Sequence, residues 1–180
     1  KYCVSSYYII ATCEASSNLA RYDGIHYGFR KSHKGDIEDT YIESRSLGYG
    51  EEVKRRILLG TFSLSSGYYD AYYAQACKVR RLIYNDYQEA FKKCDVIFSP
   101  VCATTAFDLG AGPSDPVQMY MNDLYTIPVN LAGLPGIALP FGKGQDGMPT
   151  GFQFIGQRFK DEELLKMGHA FEVSVGRGIN

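Results

Sequence analysis

No stretch of this chain holds an apolar run long enough to span a bilayer, and no basic segment followed by an apolar one opens it. Membrane insertion and export by such a leader are therefore not expected. Neither sign of charge dominates: 19 Lys and Arg face 20 Asp and Glu, for a formal net charge of -1. A near-neutral chain exerts no global pull on nucleic acid or an anionic membrane, so any such contact has to be local or made by another chain. The five cysteines, Cys3, Cys13, Cys77, Cys94 and Cys102, form no CxxC pair. A disulfide framework or a zinc site needs a tighter pattern, so reduced cysteines filling a cytosolic interior are expected. The three histidines, His26, His33 and His169, stand too far apart for metal-ligand spacing and read as surface or core residues. Internal repeats and low-complexity tracts are also missing.

What is present is apolar substance. Of 180 residues, 45% are hydrophobic and 22% charged, enough for a packed core in one domain or in part of a larger one. The chain opens without methionine and already in helical stride, with Tyr8, Ala11, Ala15 and Leu19 on one face. That start suggests a piece whose first half is absent. The first helix is expected to end near Tyr22, before the breaker Asp23-Gly24. Asp36 is placed to cap a short helix over 36–47, with Asp39 in its first turn. After the break at 48–50, "EEVKRRILLGTFSLSSG" (51–67) reads as another helix. The longest periodic segment, 68–94, sets Tyr72, Ala76, Val79, Ile83, Tyr87 and Ala90 on one stripe. Lys78, Arg80, Arg81, Asp86 and Glu89 occupy the opposite, wet face. "DVIFSP" (95–100) reads as a buried strand. Asp115-Pro116-x-Gln118 starts a helix that should stop before Pro128, and "NLAGLPG" is turn-rich. "GIALPF" and "TGFQFIG" are two strands joined by "GKGQDGMP", and a last amphipathic helix covers 161–173. Few short strands among helices predict an α/β class with a mixed sheet.

Three side chains attract a chemical reading. Arg56, Gly60, Ser63 and Gly67 recur at i, i+4, i+7 and i+11, with Val53, Ile57 and Leu64 alongside. The arginine thus heads a shallow groove of small residues, where its planar fork suits a carboxylate. The plainer account is an ion pair with Glu52 four residues earlier, with Glu51 placed to pair likewise with Arg55, each worth about 0.2–0.5 kcal/mol. Asp123 sits late in its expected helix, where the macrodipole disfavours an anion; either a cationic partner compensates or solvent does. Arg56 for a carboxylate, Asp123 for an ammonium and the Tyr7 hydroxyl beside them would receive the head of a free α-amino acid. By contrast, "GKGQDG" lacks the GK[ST] ending of a phosphate loop and precedes a strand, so a hairpin turn is expected. "SLSSG" has serines but no lysine or histidine placed as a base, so helix packing is its reading. The 15 tyrosines, several in adjacent pairs, suit a core or a partner surface.

Long gapless blocks then carry a resemblance. "EASSNLARYDGIHYG" (14–28), "YGEEVKRRILLGTFSLSSGYYDAYYAQACKVRRLI" (49–83), "DPVQMYMNDLYTIPVNLAGLPGIALP" (115–140) and "GFQFIGQ" resemble the A subunits of glutamyl-tRNA(Gln)/aspartyl-tRNA(Asn) amidotransferases, within the amidase signature family. The likeness runs from near residue 7 to about 172. It implies an amidase signature fold, a mixed β-sheet flanked by helices, of which residues 1–180 would be the C-terminal portion of one domain. It also implies hydrolysis of glutamine in the A subunit and passage of ammonia to the B subunit. There a charged tRNA is activated with ATP and amidated, with the C subunit holding the heterotrimer together. ATP and magnesium would belong to the B subunit, so no cofactor is expected in this chain. The family's lysine and two serines, the second a nucleophile in a Gly-Gly-Ser-Ser-Gly-like signature, match nothing here, and "SLSSG" does not replace them. No catalytic residue is therefore assigned, the N-terminal catalytic half is taken as absent, and the chain alone is expected to be inactive. What carries over is recognition: Arg56 for the α-carboxylate of glutamine, Asp123 for its α-ammonium and Tyr7 beside the substrate. A cytoplasmic location is implied, with mitochondrion or chloroplast as alternatives. A stand-alone amidase and a non-catalytic assembly module are the competing readings of function.

Overall fold

A computed structural model of the chain describes residues 2–31, 35–110 and 122–176. It divides into two compact units, Ser5–Lys78 and Val79–Asn180 with the first four residues. The helix start expected at Asp115 and the histidine at 33 lie outside the described residues.

The first unit is helical. Helix α1 spans Cys3–Leu19, α2 spans Ile37–Gly48 and α3 spans Glu51–Leu64. The stop after α1 is built by Asp23, whose Oδ1 accepts the backbone N–H groups of Ile25 and His26 at 2.8 Å each. Its Oδ2 meets Nδ1 of His26 at 2.7 Å. These bonds stabilise the ionised form and hold the Asp23 carboxyl far below the ordinary value of 3.8. Asp36 caps α2 as expected, accepting the N–H of Asp39 at 3.0 Å. The phenol of Tyr49 donates to the carbonyls of Leu19 and Tyr22, at 2.8 and 3.0 Å, tying α2's end to the end of α1.

Helices α1 and α3 pack at backbone distance. A Cβ on Gly60 would lie 2.0 Å from the carbonyl oxygen of Thr12, so only glycine permits the approach. Ser16 Oγ and Thr61 Oγ1 meet at 2.9 Å beside it. Cys13, 1% exposed, points at the Gly60 carbonyl from 3.9 Å. Burial pushes its thiol up, so it stays protonated at neutral pH as an interior filler. Of the other cysteines, Cys3, Cys77 and Cys94 are half-buried and Cys102 is exposed, against the expectation that all fill the interior.

The long periodic segment begins with a π-helical turn, Asp70–Ala74, before helix α4, Gln75–Phe91. The wider turn slips the phase of the stripe by one residue. Ala76 is buried and Val79, Ile83, Tyr87 and Ala90 are half-buried as expected, but Tyr72 is exposed and Tyr73 half-buried in its place. All five charged residues of the opposite face are exposed.

The second unit holds a sheet in the order β1-β3-β2, with β1 Val96–Pro100, β2 Gly136–Lys143 and β3 Pro149–Gly156. Both pairings are antiparallel; Val96 faces Gly156 across one and Gly136 faces Ile155 across the other. These three strands and the helices beside them are the α/β arrangement expected; both pairings among the described residues are antiparallel, that of β2 with β3 because a tight turn joins them. In that turn the N–H of Gly144 donates to Met148 at 2.8 Å, so "GKGQDG" is a hairpin turn, as expected. Strand β1 forms where expected, but Phe98 is 63% exposed and the strand is only half covered.

Asn122 is helical and the chain leaves that helix at Asp123, before Pro128 as expected; Pro128 itself sits in the first turn of helix α5, Ile127–Ala132, where its missing N–H costs nothing. "NLAGLPG" is therefore helical up to Ala132 and turns only at Gly133, whose φ of 64° caps the helix. Val129, Ala132 and Leu134 close on Ile155, with Ile83, Tyr84, Tyr87, Phe91 and Ile97 packed around them. Helix α6, Asp161–Val175, lays Phe171 against Phe152 at 4.8 Å between ring centres, edge to face. No helix among the described residues is long and apolar enough to cross a membrane.

Candidate functional site

Arg56 projects from the second turn of α3 and is half open to solvent. Its Nε stands 3.2 Å from Oε1 of Glu52, while the same glutamate takes Arg55 with its other oxygen. Glu51 pairs with Lys54 at 2.9 Å rather than with Arg55. One carboxylate thus serves two guanidinium groups, and this face keeps surplus positive charge. At 49% exposure on both partners the Arg56–Glu52 pair is weak, about 0.2–1 kcal/mol, and yields readily to a better carboxylate. The groove of small residues expected below Arg56 is not open. Gly60 and Ser63 are buried against α1, and Gly67 lies beyond the helix in a turn. The small side chains serve close helix packing.

Tyr7 lies on α1, half-buried, with its ring edge-on to Tyr8 at 5.2 Å. It belongs to the same unit as Arg56; Asp123 belongs to the other.

Asp123 is exposed and lies in a turn, not in the body of a helix. Its carbonyl oxygen accepts the N–H groups of Thr126 and Ile127, at 3.2 and 3.0 Å, which closes the turn and launches α5. The carboxylate stands directly after the helical residue Asn122, close to the helix-end position expected, and is displayed to solvent. Its neighbour Asn122 lines a cleft of about 600 Å³ against β2 and β3, walled also by Val101, Thr104, Phe107, Leu139 and Thr150. Among the described residues the lining includes hydroxyls and the Cys102 thiol but no histidine, lysine or carboxylate. Such a surface can bind and orient a small polar molecule. Among the described residues no three His, Cys, Asp or Glu gather as a metal site.

One residue escaped the sequence reading. Gln153, 6% exposed on the central strand, donates through Nε2 to the carbonyl of Tyr125 at 2.9 Å, inside the turn that carries Asp123. The signal was available: an amide standing between two phenylalanines in "TGFQFIG".

The model of the amidase family matches residues 1–165. The A subunit of the glutamyl-tRNA(Gln) amidotransferase of Vesicomyosocius okutanii is 56% identical over 172 residues, which are 96% of this chain and 35% of that protein. Its counterpart in Lactiplantibacillus plantarum gives the same identity over the same length. Among solved structures, the A subunit from Thermotoga maritima superposes with a TM-score of 0.65 at 41% identity, covering 96% of this chain and 32% of that one. An amidase structure at 23% identity and a TM-score of 0.68 shares the fold. The chain spans about a third of the length of the relatives it matches. With a model matched over nearly the whole of its length and an α/β architecture shared with solved amidases, the chain belongs to the amidase family.

Proposed function

We propose that this chain is the C-terminal portion of the A subunit of a tRNA-dependent amidotransferase, and that it supplies glutamine recognition rather than the nucleophile. The observation that carries the reading is the identity of 54–56% with such subunits across most of the chain, against 23% with a general amidase of the same fold. In the complete protein, glutamine would be hydrolysed and its ammonia used to convert Glu-tRNA(Gln) or Asp-tRNA(Asn). The work would be shared with the B and C subunits, of which B would bring ATP, magnesium and the tRNA.

Within that function Arg56 takes the α-carboxylate of glutamine. Its standing pair with Glu52 is exposed and weak, so exchange for a bidentate substrate carboxylate is favourable. Asp123 takes the α-ammonium, displayed on its turn next to Asn122, which lines the cleft. Tyr7 adds a phenol near the substrate. A clamp on both charges selects free glutamine over amides that lack the α-carboxylate. The nucleophile and its base come from residues outside this chain.

The test is Arg56→Lys in the complete amidotransferase. Lysine keeps the charge but loses the fork. The KM for glutamine should rise by about ten- to a hundredfold, the loss of a charge-assisted bond, while amidation driven by free ammonia persists. Unchanged glutamine kinetics would refute the assignment.

A further inference from the structure

Strand β3 buries an amide where an apolar side chain would pack as well. Gln153 faces the same side of the sheet as Ile155, and its cross-strand neighbours are Ser99 on β1 and Ala138 on β2. Its Nε2 reaches three acceptors: the carbonyl of Tyr125 at 2.9 Å, Ser99 Oγ at 3.0 Å and the carbonyl of Pro100 at 3.2 Å. An amide nitrogen carries two protons, so the three acceptors share them. A buried polar group persists only when it is satisfied in this way.

The three acceptors differ in what they need. Ser99 and Pro100 belong to β1, which is already aligned with β3 by its ladder. Tyr125 belongs to the turn of residues 123–126, which bonds to itself and to the start of α5. Among the described residues, the Gln153 amide is the hydrogen bond that ties this turn to the sheet. Remove it and the turn keeps its internal bonds but loses its anchor, and the carboxylate two residues earlier loses its aim.

We infer that Gln153 is a positioning residue for glutamine binding: from the buried face of β3 it fixes the turn that presents Asp123. This inference rests on the proposed role of Asp123 and adds the element that makes the carboxylate's position definite. A bound ammonium tolerates little displacement of its partner, because a charge-assisted hydrogen bond is short and directional.

The experiment compares Gln153→Met, Gln153→Asn, Asp123→Asn and the Gln153→Met/Asp123→Asn double variant in the complete amidotransferase, by steady-state glutamine hydrolysis. Methionine matches the length and removes both donors; asparagine keeps the amide but falls a methylene short. Each single Gln153 variant should raise the KM for glutamine about five- to tenfold, the effect of one lost hydrogen bond, with kcat shifted by less than about twofold. KM does not depend on how much of a preparation is folded, so a partly folded variant still decides. In the double variant the effects should not add: its KM should match that of Asp123→Asn within about twofold. Additive effects, or a Gln153 variant that lowers kcat and leaves KM alone, overturn the positioning role. If Asp123→Asn raises KM and neither Gln153 variant does, the inference fails while the role of Asp123 stands. If Asp123→Asn has no effect, the role of Asp123 fails and the inference with it.

Discussion

Gly60→Ala sets local propensity against tertiary contact, and the two predict opposite signs. Alanine in a helix interior is favoured over glycine by about 1 kcal/mol, so α3 taken by itself becomes more stable. In the folded unit the new Cβ lies 2.0 Å from the Thr12 carbonyl oxygen, 2.6 Å from its carbon and 2.8 Å from Ser16 Cβ, where ordinary contact is 3.4–4 Å. Two of these three atoms are backbone and cannot swing aside, so α1 and α3 have to part by about 1.4 Å. Parting breaks the Ser16–Thr61 hydrogen bond, about 1 kcal/mol, and overpacking adds about 1–3 kcal/mol. Set against the helix gain, the net loss is about 2 kcal/mol. In the complete protein the readout is amide hydrogen exchange along α1, which should accelerate about thirtyfold. Ser16→Ala should not rescue it, because alanine retains the Cβ and the main clash is with Thr12. Exchange in α1 that is unchanged or slower in Gly60→Ala would refute the reasoning.

Two further outcomes follow from other sites. The Asp23 carboxyl is held below its ordinary value of 3.8, so its contribution to the turn at 23–28 is complete above about pH 4 and is lost as pH falls below that value. NMR of the Asp23 carboxyl carbon should therefore show no carboxylate midpoint near the ordinary value as pH is lowered; such a midpoint would refute the capping geometry. The purified 180-residue chain should release no ammonia from glutamine, since the nucleophile and its base are assigned to residues outside it; measurable release that Arg56→Ala abolishes would refute that division of labour.

Sequence alone determined much of the secondary structure, because its signals are short-range. Asp36 and the Asp23-Gly24 break mark helix ends through hydrogen bonds within three residues, and alternation in "TGFQFIG" marks a strand. The amidase kinship and the candidates Arg56, Asp123 and Tyr7 were also legible there, as was the Arg56–Glu52 pair, an i,i+4 contact set by helix geometry alone. Tertiary structure decided the rest. The small-residue stripe on α3 has the spacing of a groove, yet only the approach of α1 shows that it is filled. The π-turn moved Tyr72 outward, because a wider turn resets the phase that a helical wheel assumes. The antiparallel pairing of β1 with β3 was decided there too, since it joins segments far apart in sequence and no local pattern encodes that neighbour, whereas the turn between β2 and β3 was legible. For the same reason the bond from Gln153 to the turn of Asp123, 28 residues away along the chain, could only be seen in the folded molecule.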